Sequence, residues 1–133
     1  KGRLTVLEGK NQSTVIDDTY NANLRSVLAA LEVLAECPGN KIFVFGDMGE
    51  LGAWATQHHQ EVGFAARRLG INQLLSCGAN SKLAAESFGV GGEHFITQEQ
   101  LIQNLVEKLS PDTVVLVKGS RSSAMEKIVH QLI

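Results

Sequence analysis

Apolar positions along this chain change their period repeatedly. Short runs rich in β-branched and aromatic residues fall at 13–16, 41–45, 73–76, 93–96 and 113–117, and each predicts a strand. Between them, apolar residues return at helical spacing. Leu24, Val27, Leu28, Leu31 and Leu34 share one helix face, with Asn23 placed as N-cap and Pro38-Gly39 as the stop. Val62, Ala65, Ala66 and Leu69 predict a second helix ending at Gly70, and a third runs from Asn80 to Phe88 before Gly89. Thr97-Gln98-Glu99-Gln100 reads as a capping box, with Ile96 expected to staple onto Leu101 ahead of Leu105, Val106 and Leu109. Ser123-Ala124-Met125-Glu126 reads as another, opening a last helix whose buried stripe is Met125, Ile128, Val129 and Leu132.

Strands alternating with helices over short connections imply parallel pairing through right-handed crossovers. The expected fold is α/β: a Rossmann-like, open, mostly parallel sheet of about six strands with helices on both faces. Near-continuous apolar runs such as IFVF and TVVLV fit strands covered on both sides. The opening segment RLTVLEG is expected to add one antiparallel edge strand.

Composition narrows the function. The chain has 133 residues, enough for one domain, and no internal repeats divide it. Its 44% hydrophobic and 20% charged residues describe an ordinary globular protein, and a net charge of -2 without a basic arm excludes a general nucleic-acid binder. No apolar run approaches the roughly 20 residues that cross a bilayer, and no signal-peptide pattern opens the chain, so a cytoplasmic setting is expected. Cys37 and Cys77 form no CxxC and read as reduced packing residues rather than a disulfide or zinc framework. The chain opens on KGRLTVLEGKNQS without an initiator methionine. That polar lead-in is expected to be a joint, residues 1–13, to a longer protein's preceding domain, with the folded domain at 14–133.

Ligands of open α/β sheets bind beyond the carboxyl ends of the strands. Three predicted strands end in polar clusters: DDTYNAN after Ile16, GDMGELG after Phe45 and KGSRSS after Val117. In the last, Lys118, Gly119, Ser120 and Arg121 lead into a helix start, a combination suited to phosphate or carboxylate; a solvated turn is the plainer alternative. GDMGELG is neither GxGxxG nor GxxxxGK[ST]. Its Asp47 and Glu50 could meet an amine or a magnesium-bound water, or the glycines could simply shape a loop. His58 and His59, near the second helix start, read first as surface residues, with orientation of a carboxylate or substrate as the functional alternative. Trp54, in a loop, reads as a lid packed on the domain.

Asp17 and Asp18 should point to opposite sides of their strand end, so only one need face a site. An aspartate there is a natural partner for ribose hydroxyls. Tyr20, Asn21 and Asn23 offer a stacking ring and amides suited to a nucleobase, although Asn23 is expected mainly to cap its helix. A receiver-like phosphoacceptor domain, or a non-catalytic nucleotide-binding module, would share some of these features. Asp17-Asp18, Asp47 and Lys118 mimic a receiver's acidic pair, acceptor and lysine. Only one helix separates Asp18 from Asp47, however, where a receiver needs two helices and a strand.

DDTYNAN, GDMGELG, the HxxxG at His59 to Gly63 and LVKGSR, in that order, closely resemble the C-terminal domain of the Mur ligases. Leu24 stands where that family often has proline after NAN, a first helical position at which leucine is acceptable. The resemblance implies an ATP-dependent ligase that joins a carboxylate to an amine through an acyl phosphate. Within the family it is to the branch that adds D-alanyl-D-alanine to UDP-N-acetylmuramoyl-tripeptide for peptidoglycan. It also implies that a central ATPase domain, absent from this chain, carries the P-loop and most of the Mg2+ ligands, that the whole enzyme is a monomer, and that this domain alone is inactive. On the same resemblance Arg3 reaches the ATP phosphates, Asp18 takes the ribose, and Tyr20, Asn21 and Asn23 flank the nucleotide. Lys118, Ser120 and Arg121 become candidates for the dipeptide carboxylate and the phosphate side, with Lys118 and Arg3 the catalytic candidates. Asp47, Glu50 and His59 become candidates for the amine end or for holding their loop.

Overall fold

The computed structural model describes residues 2–133. Six strands, β1 (Thr5–Glu8), β2 (Thr14–Asp18), β3 (Asn40–Phe45), β4 (Gln73–Cys77), β5 (Gly92–Phe95) and β6 (Thr113–Lys118), form one sheet in the order β1-β2-β6-β3-β4-β5. Only β1 runs antiparallel to its neighbour. The helices are α1 (Leu24–Glu36), α2 (Ala55–Arg68), α3 (Ser81–Phe88), α4 (Gln98–Val106) and α5 (Glu126–Leu132).

Side chains alternate across each strand, so one apolar run feeds two cores. Phe43 and Phe45 point with Ile16, Leu74 and Leu116 toward α1, α2 and α3. Ile42 and Val44 point with Val15, Leu75, Val115 and Val117 toward α4 and α5. This arrangement positions the site. The helix after β6 lies on the opposite face from the helices after its neighbours β2 and β3. Strand tips therefore diverge on both sides of β6, and such switch points open the crevices in which open α/β sheets hold ligands.

The expected fold is the observed one, with local differences. β2 runs two residues past its apolar end, through both aspartates, because its ladder with β6 continues to the pair Asp18 and Lys118. RLTVLEG supplies the antiparallel edge strand, so residues 5–8 of the lead-in pack with the domain. Asn23 caps α1 as expected, and its partner is Ser26, whose hydroxyl accepts the Asn23 N–H. The Ile96 staple does not form: Ile96 is 80% exposed, and its N–H donates to Gln100 Oε1 while Thr97 alone caps α4. Nor does Ser123 cap the last helix. A 3-10 turn at Arg121–Ser123 and a left-handed Ala124, φ 51°, delay α5 to Glu126.

Candidate functional site

The acidic pair divides its work as strand alternation requires. Asp17 folds back on its own turn, its Oδ1 accepting from the Thr19 N–H at 3.1 Å and the Thr19 hydroxyl at 2.6 Å. Asp18 is buried. Its Oδ2 accepts from Lys118 Nζ at 2.9 Å, and its Oδ1 accepts from the Leu4 N–H at 3.2 Å. Lys118 Nζ also donates to the Asn21 carbonyl at 2.9 Å. The Lys118 ammonium is thus buried and already neutralised by a carboxylate one strand away.

Arg3, Asp18, Tyr20, Asn21, Asn23 and Lys118 all line one cavity of about 390 Å³. They come from the lead-in, the β2 tip, the α1 cap and the β6 tip. Leu4 and the first turns of α1, Ser26, Ala29 and Ala30, complete the lining. Sequence reasoning missed these four. Helical periodicity could have found the α1 set, since positions 26 and 30 share the face of Asn23; Leu4 had no signal of its own. The lead-in is held against this wall. The Tyr20 N–H donates to the Gly2 carbonyl at 2.8 Å, and the Arg3 guanidinium lies 4.1 Å from the centre of the Tyr20 ring.

Arg121 approaches the same ring from 5.9 Å but spends its donors on the Thr19 and Tyr20 carbonyls and on Glu126, tying the β6 loop to the β2 loop. Ser120 is buried. Its N–H donates to the Asp47 carbonyl, and its hydroxyl meets those of Ser122 and Ser123. The Ser120 hydroxyl is thus engaged within its own turn, while Arg121, its side chain 51% exposed, keeps its Nε–H outside these contacts.

GDMGELG is built from inside rather than aimed outward. Asp47 accepts from the Asn80 and Ser81 N–H groups at 2.8 to 3.1 Å, capping α3 from the loop after β3. Gly78 makes this possible, since a Cβ there would stand 2.4 Å from Asp47 Oδ1. Of the two roles open to Asp47, the amine end or holding its loop, these bonds serve the second, and an acceptor role as in a receiver loses its free carboxylate. His59 is wholly buried, not a surface residue: Nε2 accepts from the Met48 N–H at 3.0 Å, and Nδ1 faces the Ala55 carbonyl at 2.7 Å. Those partners fix the tautomer with the proton on Nδ1, and the ring holds the loop. Glu50 is exposed on a left-handed backbone, φ 58°. Trp54 is 58% exposed and stacks on His58 rather than closing over the domain.

A separate polar cluster lies at the β4 and β5 tips, where Ser76 Oγ and His94 Nδ1 are 2.8 Å apart. Burial, with Lys82 nearby, lowers the His94 pKa below the usual 6.5, against the opposing pull of Asp47 and Glu86. Burial, then Asp47 and Glu99, raises that of Cys77. Among the described residues, no three His, Cys, Asp or Glu side chains converge to hold a metal ion, and no helix is long and apolar enough to cross a membrane.

Sheet order and helix placement define a doubly wound α/β domain with a cavity at a switch point. The family model for the Mur ligase, glutamate ligase domain matches residues 2–121, and the chain belongs to that family. The UDP-N-acetylmuramoyl-tripeptide--D-alanyl-D-alanine ligase of Escherichia coli K12 is 44% identical to it over 133 residues, covering 98% of this chain and 29% of that ligase. A crystal structure of MurF from Acinetobacter baumannii matches with TM-score 0.88 at 34% identity, over 99% of this chain and 30% of the other. MurF ligase from Thermotoga maritima in complex with ADP matches with TM-score 0.83 at 28% identity, over 98% and 30%. The chain thus spans under a third of the length of these relatives.

Proposed function

We propose that this chain is the C-terminal domain of a cytoplasmic, ATP-dependent ligase that joins D-alanyl-D-alanine to UDP-N-acetylmuramoyl-tripeptide, and that its share of the site is the nucleotide wall. The observation that carries the reading is the common cavity of Arg3, Asp18, Tyr20, Asn21 and Asn23, which the lead-in, the β2 tip with its following turn and the α1 cap bring to one switch point. The names of the similar ligases and the ADP complex of one of them support it.

The donor set fits a nucleoside. Asp18 keeps lone pairs beyond those used by Lys118 and Leu4 and can accept from ribose hydroxyls. Tyr20 is half-exposed and offers a ring face, and Asn21 and Asn23 offer amides. Arg3, stacked on Tyr20, is held where a planar fork can meet phosphate oxygens. ATP supplies the phosphoryl group that activates the carboxylate. This chain contributes positioning and charge complementarity rather than a nucleophile or base. Mg2+ and the phosphate grip belong mainly to a central ATPase domain outside this chain. Ser120, buried with its hydroxyl engaged by Ser122 and Ser123, reaches the dipeptide side only if the β6 loop rearranges, whereas the half-exposed Arg121 keeps a donor for it. The whole enzyme acts as a monomer.

The test is Asp18→Asn in the whole protein. The KM for ATP rises about tenfold, the worth of one hydrogen bond to a charged group, while that for D-alanyl-D-alanine changes little. An unchanged KM for ATP overturns the assignment.

A further inference from the structure

We propose that Lys118 is a positioning residue for the nucleotide wall, acting through Asp18 and Asn21, and not a ligand for the dipeptide. The inference rests on the nucleotide reading of those two residues and adds a member of the same lining that acts through them. Lys118 and Asp18 are register partners at the last rung of the β2–β6 ladder. The ammonium therefore meets the carboxylate across two backbones that the sheet already fixes. One cation holds two acceptors three residues apart, Asp18 Oδ2 and the Asn21 carbonyl, each at 2.9 Å. From the other side the Leu4 N–H holds Asp18 Oδ1. The carboxylate is thus set from two directions and keeps lone pairs for a further donor. The 19–21 turn, which carries Tyr20 and Asn21 into the cavity, is pinned to β6 at its far end.

A lysine serving an external anion would present its ammonium to solvent, whereas this one is 3% exposed. Removing it leaves a buried carboxylate without its counter-charge, a condition under which the group moves, takes up a proton or recruits water. Each outcome alters what a ribose would meet. The amine substrate is indifferent to all of them.

The experiment uses the whole protein, with ADP binding by calorimetry and KM values for ATP and D-alanyl-D-alanine. Lys118→Met weakens ADP about tenfold or more, in line with loss of a charged hydrogen bond, and leaves the dipeptide KM within about twofold. Combined with Asp18→Asn it costs no more than the worse single change, because both act through one contact. If Lys118→Met does not fold, Lys118→Arg retains the charge but replaces a compact donor with a planar fork. It then gives the same split between ADP and dipeptide, and the neutral double variant restores folding. A raised dipeptide KM with ADP affinity unchanged overturns the proposal. So does ADP binding that Asp18→Asn weakens and both Lys118 variants leave intact, an outcome that spares the nucleotide reading. Wild-type protein that does not bind ADP overturns both.

Discussion

At the scale of single residues, the most informative side chain is His59. Its imidazole fills the space between α2 and the loop after β3, stacks obliquely on Phe45 at 5.8 Å and takes the Met48 N–H. His59→Ala leaves that buried donor without an acceptor and opens a cavity, so stability falls by about 2–4 kcal/mol. Urea unfolding measures the loss, and hydrogen exchange shows it first at Met48. His94 gives a prediction about pH. Its folded-state pKa lies below 6.5, so the unfolded chain takes up the proton at higher pH than the native one. The stability this provides is present above about pH 6.5 and declines as pH falls through the unfolded value toward the lower folded one. In an NMR titration the His94 midpoint falls below 6.5, and His94→Asn flattens the slope of unfolding free energy between about pH 7 and 5. What the sequence made legible at this scale was chemistry near the strand tips. It did not say whether a polar side chain was aimed at a ligand or at the protein's own backbone. Asp47 and His59 look like site residues in a motif and turn out to satisfy backbone N–H groups, since buried backbone donors compete for the same acceptors as substrates.

Between elements, the seam of α2 and α3 depends on the glycine of HxxxG. A Cβ on Gly63 would stand 2.2 Å from the Ala84 carbonyl, a backbone atom that cannot step aside. Gly63→Ala must part the two helices, and overpacking of this kind costs about 1–3 kcal/mol or more; a thermal melt with the midpoint unchanged refutes this. Asp47→Ala removes the cap of α3 and costs about 1 kcal/mol, and Asp47→Asn, which keeps an acceptor, costs less. Most elements were readable because strands covered on both faces leave continuous apolar runs and α1 to α4 leave stripes. The failures share a cause. Ser123-x-x-Glu126 matches a capping box, but the left-handed Ala124 turns the chain between them, and Ile96 points to solvent beside Leu101 because Gln100 takes its N–H. One depends on a dihedral angle and the other on a side-chain hydrogen bond, and the motif encodes neither.

For the whole molecule, the decisive contact joins residues 100 positions apart: Asp18 in the first parallel strand and Lys118 in the last. No local pattern foretold it. It follows from β6 inserting between β2 and β3, a consequence of how the crossovers close the sheet. The order of motifs along the chain did carry the family resemblance, because three of the four end strands whose tips the fold brings together, while the fourth, His59 to Gly63, lies in α2. That same geometry bounds what the chain does unaided. Its cavity has a buried carboxylate, an aromatic ring, amides and one arginine. Its sequence lacks the GK[ST] signature of a phosphate-cradling loop. Phosphoryl transfer needs the γ-phosphate gripped, the metal held and the carboxylate aligned with it, and this wall provides none of the three. The prediction is that the 133-residue chain releases no ADP from ATP in the presence of D-alanyl-D-alanine and the UDP-linked tripeptide, whereas on the proposed function the whole protein does. A coupled ADP-release assay reads both, and turnover by the chain alone would show that the wall is a complete active site.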